Sequence, residues 1–202
     1  MKGALTYQKN RGRLQPFVVQ TLLLFLYGTG LRVRESLALT QADVDLAAGV
    51  VTVHKSKFFK SRLVPLGPQL LRVLVTYATQ CKVAGHSQGG APFFIARNGG
   101  SINMSTLQGN SRRIRTHVGI HRIDGATYQP RIHDLRHTFA VHRLIAWYRD
   151  GADVQRLLPY LSDYLGHAYL AATSVYLSMT PELLAEASKR FEEHALKEGP
   201  HD

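Results

Sequence analysis

Four side chains in the later part of the chain are of types that suit phosphodiester chemistry: His133, Arg136, His167 and Tyr176. The first two lie three positions apart, which would place them on one face of a helix. An arginine fork matches phosphate oxygens and stays charged at any working pH. A tyrosine ionises near pH ~10, so it needs a base or a strongly positive site to act as a nucleophile at neutral pH. Together these residue types suit attack on a phosphodiester by a phenolic oxygen.

The motifs that contain these residues resemble those of the tyrosine recombinases, the phage-integrase and Xer-like enzymes. They are HDLRHTFA at 133–140, LGH at 165–167 and a tyrosine nine residues further on. Upstream, TGLRVRESLAL at 29–39 resembles the family's first arginine motif, and RLVPL at 62–66 resembles the strand that follows its lysine. The resemblance implies an α+β fold, mainly helical with a small three-stranded antiparallel sheet, like the catalytic domain of a tyrosine recombinase.

The resemblance also sets an expectation for domain organisation. It spans roughly residues 15–196 and maps to the catalytic half of such enzymes, so we expect 1–202 to form a single catalytic domain. Residues 1–14 are expected to be a flexible lead-in, because 1–13 are polar, basic and contain glycine. The N-terminal core-binding domain of these recombinases is expected to be absent.

Three residues are implied by the resemblance to contact the reacting phosphate. Arg32 and Arg136 would clamp its oxygens, and His167 would donate a hydrogen bond to it. Glu35 would orient the site without touching the phosphate. From the residues alone, Arg32 could equally form a helix-surface ion pair with Glu35, and Arg34 is the competing arginine; the register of the motif favours Arg32.

The remaining roles concern the nucleophile and the protons. The resemblance implies that Tyr176 attacks phosphorus and forms a covalent 3′-phosphotyrosine, with His133 as its base or proton relay. Lys57, five residues before the arginine of RLVPL, would give a proton to the leaving 5′-oxygen. Lys55 and Lys60 are rivals for that position. Neither a metal ion nor another cofactor is expected.

The composition favours a polyanionic partner. The formal net charge is +11, from 25 Lys and Arg against 14 Asp and Glu, and nucleic acid is the polyanion that such an excess best fits. Charge alone fits DNA or RNA. The resemblance implies double-stranded DNA as partner, with other protomers joining in a tetrameric synapse on DNA and a monomer off DNA. No apolar run is long enough to span a membrane, and the single cysteine, Cys81, fits a reducing compartment. A bacterial cytoplasm, in association with the nucleoid, is the expected location.

Several further basic residues are predicted to contact DNA phosphates, which positions a protein without reading sequence. The alternative for the arginines near 112–115 is a solvated face of a basic protein. The predicted DNA-binding residues are Lys55, Lys60, Arg62, Arg112, Arg113 and Arg115.

Apolar periodicity outlines the elements that must position the site. Alternation over 43–66 predicts the antiparallel sheet. Thr29 is a candidate cap for the helix that follows it, and Pro130 fits the start of the helix containing His133 and Arg136. Residues 147–158 are interpreted as part of a long connector before LGH. Helices are predicted over 15–27, 31–39, 68–81, 105–118 and 181–196.

The last of these helices is amphipathic, so its apolar side must be buried. It is expected to dock either on its own core or on a neighbouring protomer, an exchange that the resemblance suggests. The residues assigned to its apolar side are Leu183, Leu184, Ala187, Phe191 and Ala195.

Three other functions are weighed against strand exchange. A metal-dependent nuclease would need clustered acidic ligands, which the sequence lacks. His117/His121 and His133/His137 have metal-like spacing but no added carboxylate or cysteine ligands. A DNA-binding relic without catalysis and a type IB topoisomerase, which uses similar chemistry, remain as alternatives.

Overall fold

The computed structural model of the chain describes residues 14–54, 61–83, 90–167, 171–174 and 181–197. The chain divides into two compact units, with the boundary between Arg136 and His137. No helix among the described residues is both long and apolar enough to cross a lipid bilayer.

The first unit begins with helix α1, Pro16–Thr29, where the sequence predicts a helix over 15–27. Proline occupies its first turn, a position that needs no backbone donor. Its buried face includes Leu22 and Phe25, both fully buried. The helix ends because Gly30 adopts a left-handed conformation with φ 63°, and its N–H donates to the Leu26 carbonyl at 3.0 Å.

Helix α2 is shorter than predicted and spans Val33–Ala38. The prediction that Thr29 caps it is wrong, because Thr29 is the last residue of α1. Its hydroxyl donates to the Phe25 carbonyl at 2.7 Å and accepts from the Leu31 N–H at 3.3 Å. The residue at the cap position of α2 is Arg32, in an extended conformation.

A small sheet follows a 3-10 turn at Gln41–Asp43. Its strands are β1, Val44–Asp45, β2, Val50–Val53, and β3, Arg62–Pro65, in the order β1-β2-β3. Both pairings are antiparallel, with Val51 opposite Val64 and Val53 opposite Arg62. This confirms the predicted three-stranded antiparallel sheet.

Helix α3, Pro68–Val83, packs on α1 around an aromatic core. Tyr77 is buried there, donates to the Phe93 carbonyl at 3.0 Å and accepts from the Ile95 N–H at 3.1 Å. Cys81, one turn further along α3, is 2% exposed. The last full helix of this unit is α4, Met104–His117, capped by the Asn103 side chain. Both helices were predicted within a few residues.

Among its described residues, the second unit contains most of helix α5 and three further helices. The unit boundary falls within α5, Asp134–Arg149. The others are α6, Val154–Leu165, α7, Ala171–Ser174, and α8, Pro181–Lys197.

The interpretation of residues 147–158 as connector is wrong, because α5 continues to Arg149 and α6 begins at Val154. The Asp153 side chain caps α6 by accepting from the Arg156 N–H at 3.1 Å. Apolar residues at helical spacing, from Val154 to Leu165, then bury one face. That burial and the cap outweigh Pro159, which lies inside the helix and removes one backbone donor.

Helix α8 packs on its own unit through an apolar contact and polar contacts. Leu183 is 1% exposed and belongs to the core formed by α5 and α6. Arg149 Nε donates to Glu186 Oε1 at 2.7 Å, and Arg190 donates to the Gly151 carbonyl at 2.9 Å. Leu184 was assigned to the buried side wrongly, since it is 55% exposed. Exchange of α8 between protomers stays a prediction.

Adjacent leucines of α8 therefore offer a matched pair for a stability measurement. Leu183→Ala should lower the free energy of unfolding by about 2–5 kcal/mol, because it leaves a cavity in a closed core. Leu184→Ala should change it by no more than about 0.5 kcal/mol. Urea unfolding at two protein concentrations is the measurement. Equal effects of the two substitutions, or an effect of Leu183→Ala that grows on dilution, would contradict packing of α8 within its own subunit.

Candidate active site

The carboxylate of Glu35 is the centre of the first group of predicted site residues. It lies in the first turn of α2, where it accepts from the Arg32 backbone N–H at 3.0 Å through Oε2. This is the glutamate half of a capping box, which holds the start of a helix. Oε1 also accepts from Arg32 Nη1 at 2.9 Å. The surface ion pair considered from the sequence is thus present, and it fixes both the backbone and the guanidinium of Arg32.

A second arginine reaches the same carboxylate from β3. Arg62 Nη2 lies 2.7 Å from Glu35 Oε2, and Arg62 Nη1 lies 3.2 Å from Oε1. Each of these two side chains is 12% exposed, whereas Arg32 is 33% exposed. Two guanidinium groups around one carboxylate leave this cluster positive, which suits an anionic ligand.

The protonation of Glu35 reflects these neighbours. Burial by itself would raise the pKa of its carboxyl, but the hydrogen bond and charge of Arg62, with the hydrogen bonds from Arg32, outweigh burial. The pKa of Glu35 therefore lies below its ordinary value. The carboxylate stays ionised through the range in which proteins normally work.

Arg136 joins the same part of the first unit. It is 3% exposed, and its Nη1 donates to the Gly30 carbonyl at 2.8 Å. Gly30 precedes Arg32 by two residues, so both predicted phosphate-binding arginines are fixed to the turn between α1 and α2. A buried guanidinium needs partners of this kind, since a charge removed from water is costly without them.

His133 was predicted to lie on the helix with Arg136, and this is wrong. It lies in the turn just before α5. The backbone here forms bonds between residues three apart, from the Asp134 N–H to the Arg131 carbonyl at 3.0 Å and from the Leu135 N–H to the Ile132 carbonyl at 3.3 Å, so a turn precedes the helix. His133 is still bonded to Arg136 through the backbone, because the Arg136 N–H donates to the His133 carbonyl at 3.1 Å. His133 is exposed.

His167 belongs to the second unit, directly after the glycine that ends α6. Gly166 has φ 67°, and the His167 N–H donates to the Ser162 carbonyl at 3.0 Å. The ring Nδ1 lies 2.6 Å from the hydroxyl oxygen of Thr173, which is fully buried. Thr173 was not predicted; a threonine six residues after a histidine gives no recognisable signal.

Four predicted site residues lie outside the described residues. They are Lys55, Lys57, Lys60 and Tyr176. Their roles stay predictions.

The basic residues of α4 are of two kinds. Arg115 is half-buried, and its Nη1 donates to the Pro130 carbonyl at 2.8 Å, which ties α4 to the segment before α5. Arg112 and Arg113 are exposed. DNA contacts by any of the three stay predictions.

Among the described residues, no group of three or more His, Cys, Asp or Glu side chains is placed to hold a metal ion. Of the histidines with ligand-like spacing, His121 uses Nδ1 for a 2.7 Å contact with the Gly119 carbonyl. The expectation of metal-free chemistry stays a prediction.

Comparisons with known proteins show the family to which the chain belongs. The sequence model described as phage integrase family matches residues 5–182. A Sinorhizobium fredii protein whose name describes it as an integrase or recombinase, y4rE, is 40% identical over 177 residues, which is 88% of this chain and 56% of that protein. The tyrosine recombinase XerC of Bacillus subtilis is 33% identical over 170 residues, 82% of this chain and 50% of XerC. The chain thus spans about half the length of the curated relatives it matches.

Solved structures share the architecture. The crystal structure of XerA recombinase has a TM-score of 0.65 at 23% identity and covers 96% of this chain and 67% of its own. XerH recombinase, in a post-cleavage complex with a palindromic difH substrate, has a TM-score of 0.66 at 22% identity, with coverage of 95% and 50%. At these identities the likeness shows a shared fold.

The shared carboxylate predicts a specific pH dependence of stability. Because the pKa of folded Glu35 is below its unfolded value of about 4.5, its contribution to stability is present above that pH and is lost as pH falls through the folded pKa. Glu35→Gln should destabilise the protein at pH 7 by about 1.5–3 kcal/mol, the size of hydrogen bonds to charged groups. The difference from the wild type should shrink below the unfolded pKa. Unfolding curves from pH 3 to 7 test this, and a difference that is constant with pH would contradict it.

Proposed function

Because this chain belongs to the phage integrase family, we propose that it cleaves and rejoins DNA strands at specific sites through a covalent 3′-phosphotyrosine. The observation that carries this proposal is the arginine cluster of the first unit, in which Glu35 and the Gly30 carbonyl hold Arg32 and Arg136. Arg32 lies in the turn between α1 and α2, and the guanidinium of Arg136 is hydrogen-bonded to the same turn.

In the proposed reaction the phenolic oxygen of Tyr176 attacks phosphorus. The new bond joins that oxygen to phosphorus, and the bond from phosphorus to the 5′-oxygen breaks. Arg32 and Arg136 neutralise the negative charge that grows on the non-bridging oxygens, which is the largest kind of contribution a preorganised site makes. Rejoining reverses the step with the 5′-hydroxyl of a partner strand.

Proton transfers complete the step. His133 accepts the tyrosine proton directly or through a relay, and Lys57 gives a proton to the leaving 5′-oxygen. His167 donates a hydrogen bond to the phosphate, and its contact with Thr173 orients the ring for that role. Neither water nor a cofactor is consumed.

The proposed partners are double-stranded DNA and further copies of the protein in a tetrameric synapse. XerH is described in complexes with difH, before and after cleavage, and a lambda integrase fragment as a dimer on a COC′ core site. By analogy we place this chain on bacterial DNA, in the cytoplasm and at the nucleoid. In such an assembly, α8 either keeps its place on its own unit or moves to a neighbour.

The nucleophile can be identified by covalent trapping. The substrate is a pool of duplexes with a randomised core and a nick in one strand. Cleavage near the nick releases a short 5′-hydroxyl fragment, which diffuses away. The strand then cannot be rejoined, so the protein stays attached to DNA. Wild type should yield complexes that survive denaturation, and sequencing them gives the preferred site. Tyr176→Phe keeps the ring but lacks the attacking oxygen, so its trapping should be lost.

Tyr160→Phe is the matched control, because Tyr160 lies on α6 and is 66% exposed. It should be trapped like wild type. Trapping of Tyr176→Phe at the level of Tyr160→Phe would move the nucleophile to another residue. Relaxation of a supercoiled plasmid without a second site would instead favour topoisomerase activity.

Binding to DNA should depend strongly on salt. Each neutralised phosphate contributes about −0.9 to the slope of log affinity against log salt, so six contacts would lose roughly 10³-fold between 50 and 200 mM. Arg112→Gln, on exposed α4 surface, should reduce the slope by about 0.9. Fluorescence anisotropy with a labelled duplex measures it.

Lys189→Gln removes the same charge from an exposed position of α8 and serves as the control, with an unchanged slope. If both variants shift the slope equally, the effect is one of net charge, and a phosphate contact by Arg112 is disproved. A slope near zero for wild type would show that phosphate contacts do not dominate binding.

A further inference from the structure

Arg62 was predicted to bind DNA, yet its guanidinium is committed inside the protein. Both of its terminal nitrogens donate to Glu35, at 2.7 and 3.2 Å, across 27 residues of sequence. Its side chain is only 12% exposed. The pair with Glu35 uses one N–H of each terminal nitrogen, and the low exposure leaves little of the guanidinium for a DNA phosphate to reach. The arrangement therefore points to a role through Glu35 and not through DNA.

The three side chains of the cluster differ in their exposure to solvent. Arg62 and Glu35 are each 12% exposed, and Arg32 is 33% exposed. Glu35 holds Arg32 by both its backbone N–H and its Nη1. Arg32 is thus the member that an anionic ligand can approach, while Arg62 supports the carboxylate on its less exposed side.

The charges lead to the same conclusion. Glu35 and Arg32 alone would form a neutral pair, in which the carboxylate cancels much of the field that Arg32 presents to a phosphate. With Arg62 present, the three side chains carry a net charge of one positive unit, so the cluster still attracts a phosphate. A bidentate arginine also restricts the carboxylate to one plane, which a single lysine bond does not do.

The position of Arg62 in the sheet makes it a firm support. It is the first residue of β3, and it pairs in register with Val53 of β2. Its backbone is therefore set by the sheet, whereas Glu35 belongs to the start of a helix of six residues. The ion pair joins these two elements directly beside Arg32.

We propose that Arg62 is a positioning residue for strand cleavage: it holds Glu35 in place and compensates its charge, so that Arg32 is oriented and available for the scissile phosphate. This inference rests on the proposed function. It assigns Arg62 no contact with DNA.

The test compares Arg62→Gln and Arg62→Lys with Arg34→Gln, which removes the same charge from an exposed position of α2. The probe is the nicked duplex recovered from the trapping selection. Three quantities are measured for each variant: the single-turnover trapping rate at saturating DNA, the affinity for DNA, and the melting temperature.

Arg62→Gln should slow trapping by about 10²-fold, the effect of a small misplacement of a reacting group. Its affinity should match that of Arg34→Gln, and Arg34→Gln should be trapped at the wild-type rate.

Arg62→Lys keeps the charge but not the bidentate geometry, so its rate should lie between wild type and Arg62→Gln. It also decides the question if Arg62→Gln does not fold. The pH profile gives a readout that a purely structural role would not change. Loss of Arg62 removes its hydrogen bond and charge from Glu35, so the pKa of that carboxyl should rise and the rate should begin to fall at a higher pH than in wild type.

The outcomes separate the two proposals. If wild type is trapped and Arg62→Gln is trapped equally fast, this inference is overturned alone. An affinity of Arg62→Gln for DNA well below that of Arg34→Gln, with the trapping rate at saturating DNA and the pH profile unmoved, overturns it in favour of a direct DNA contact. Failure to trap wild type on any duplex overturns the proposed function, and this inference with it.

Discussion

One carboxylate shared by two guanidinium groups determines the arrangement of the first unit's site. The carboxylate of Glu35 accepts hydrogen bonds from the side chain of Arg62 on β3 and from the backbone N–H and side chain of Arg32 at the start of α2. This single group therefore joins β3 to α2. Such a group must remain ionised, and its depressed pKa ensures that it does. Because like charges repel, the two arginines could not approach each other without it. The positive surface offered to a phosphate therefore depends on a negative residue beneath it.

The turn between α1 and α2 is the second constraint. Gly30 takes a left-handed conformation that other residues adopt only with strain, and it ends α1. Its carbonyl then receives the buried guanidinium of Arg136, which is distant in sequence by 106 residues. This short turn thus fixes Arg136, which donates to the Gly30 carbonyl, and Arg32, which follows Gly30 by two residues in the chain. Precision in the site comes from backbone groups and buried side chains, which move less than surface loops.

Much of the fold was predictable from local patterns. Alternation and apolar periodicity predicted the sheet and the helices α1, α3, α4 and α8, because these signals depend on neighbouring residues. The first part of helix α6, residues 154–158, was taken for connector. The helix forms there, and continues through Pro159, because Leu158 and Leu161 pack into the core, which local sequence does not reveal. In the site, the resemblance of the motifs to those of the tyrosine recombinases suggested Arg32, Glu35, Arg136 and His167, and their roles stay predictions. The partner of Arg62 was not predictable, because a contact across 27 residues is decided by tertiary packing.

The aromatic core of the first unit has a practical consequence for studying motion. Cys81 is the only cysteine of the chain and is 2% exposed. Burial raises the pKa of its thiol, despite the opposing hydrogen bond of Tyr77, so little reactive thiolate forms at neutral pH. The protein is in effect already free of accessible cysteines. A cysteine introduced on the exposed side of α8, at Leu184 for example, can carry a fluorescent dye without further engineering. Energy transfer between the dyes of two subunits can then report whether and how that helix moves when DNA is added.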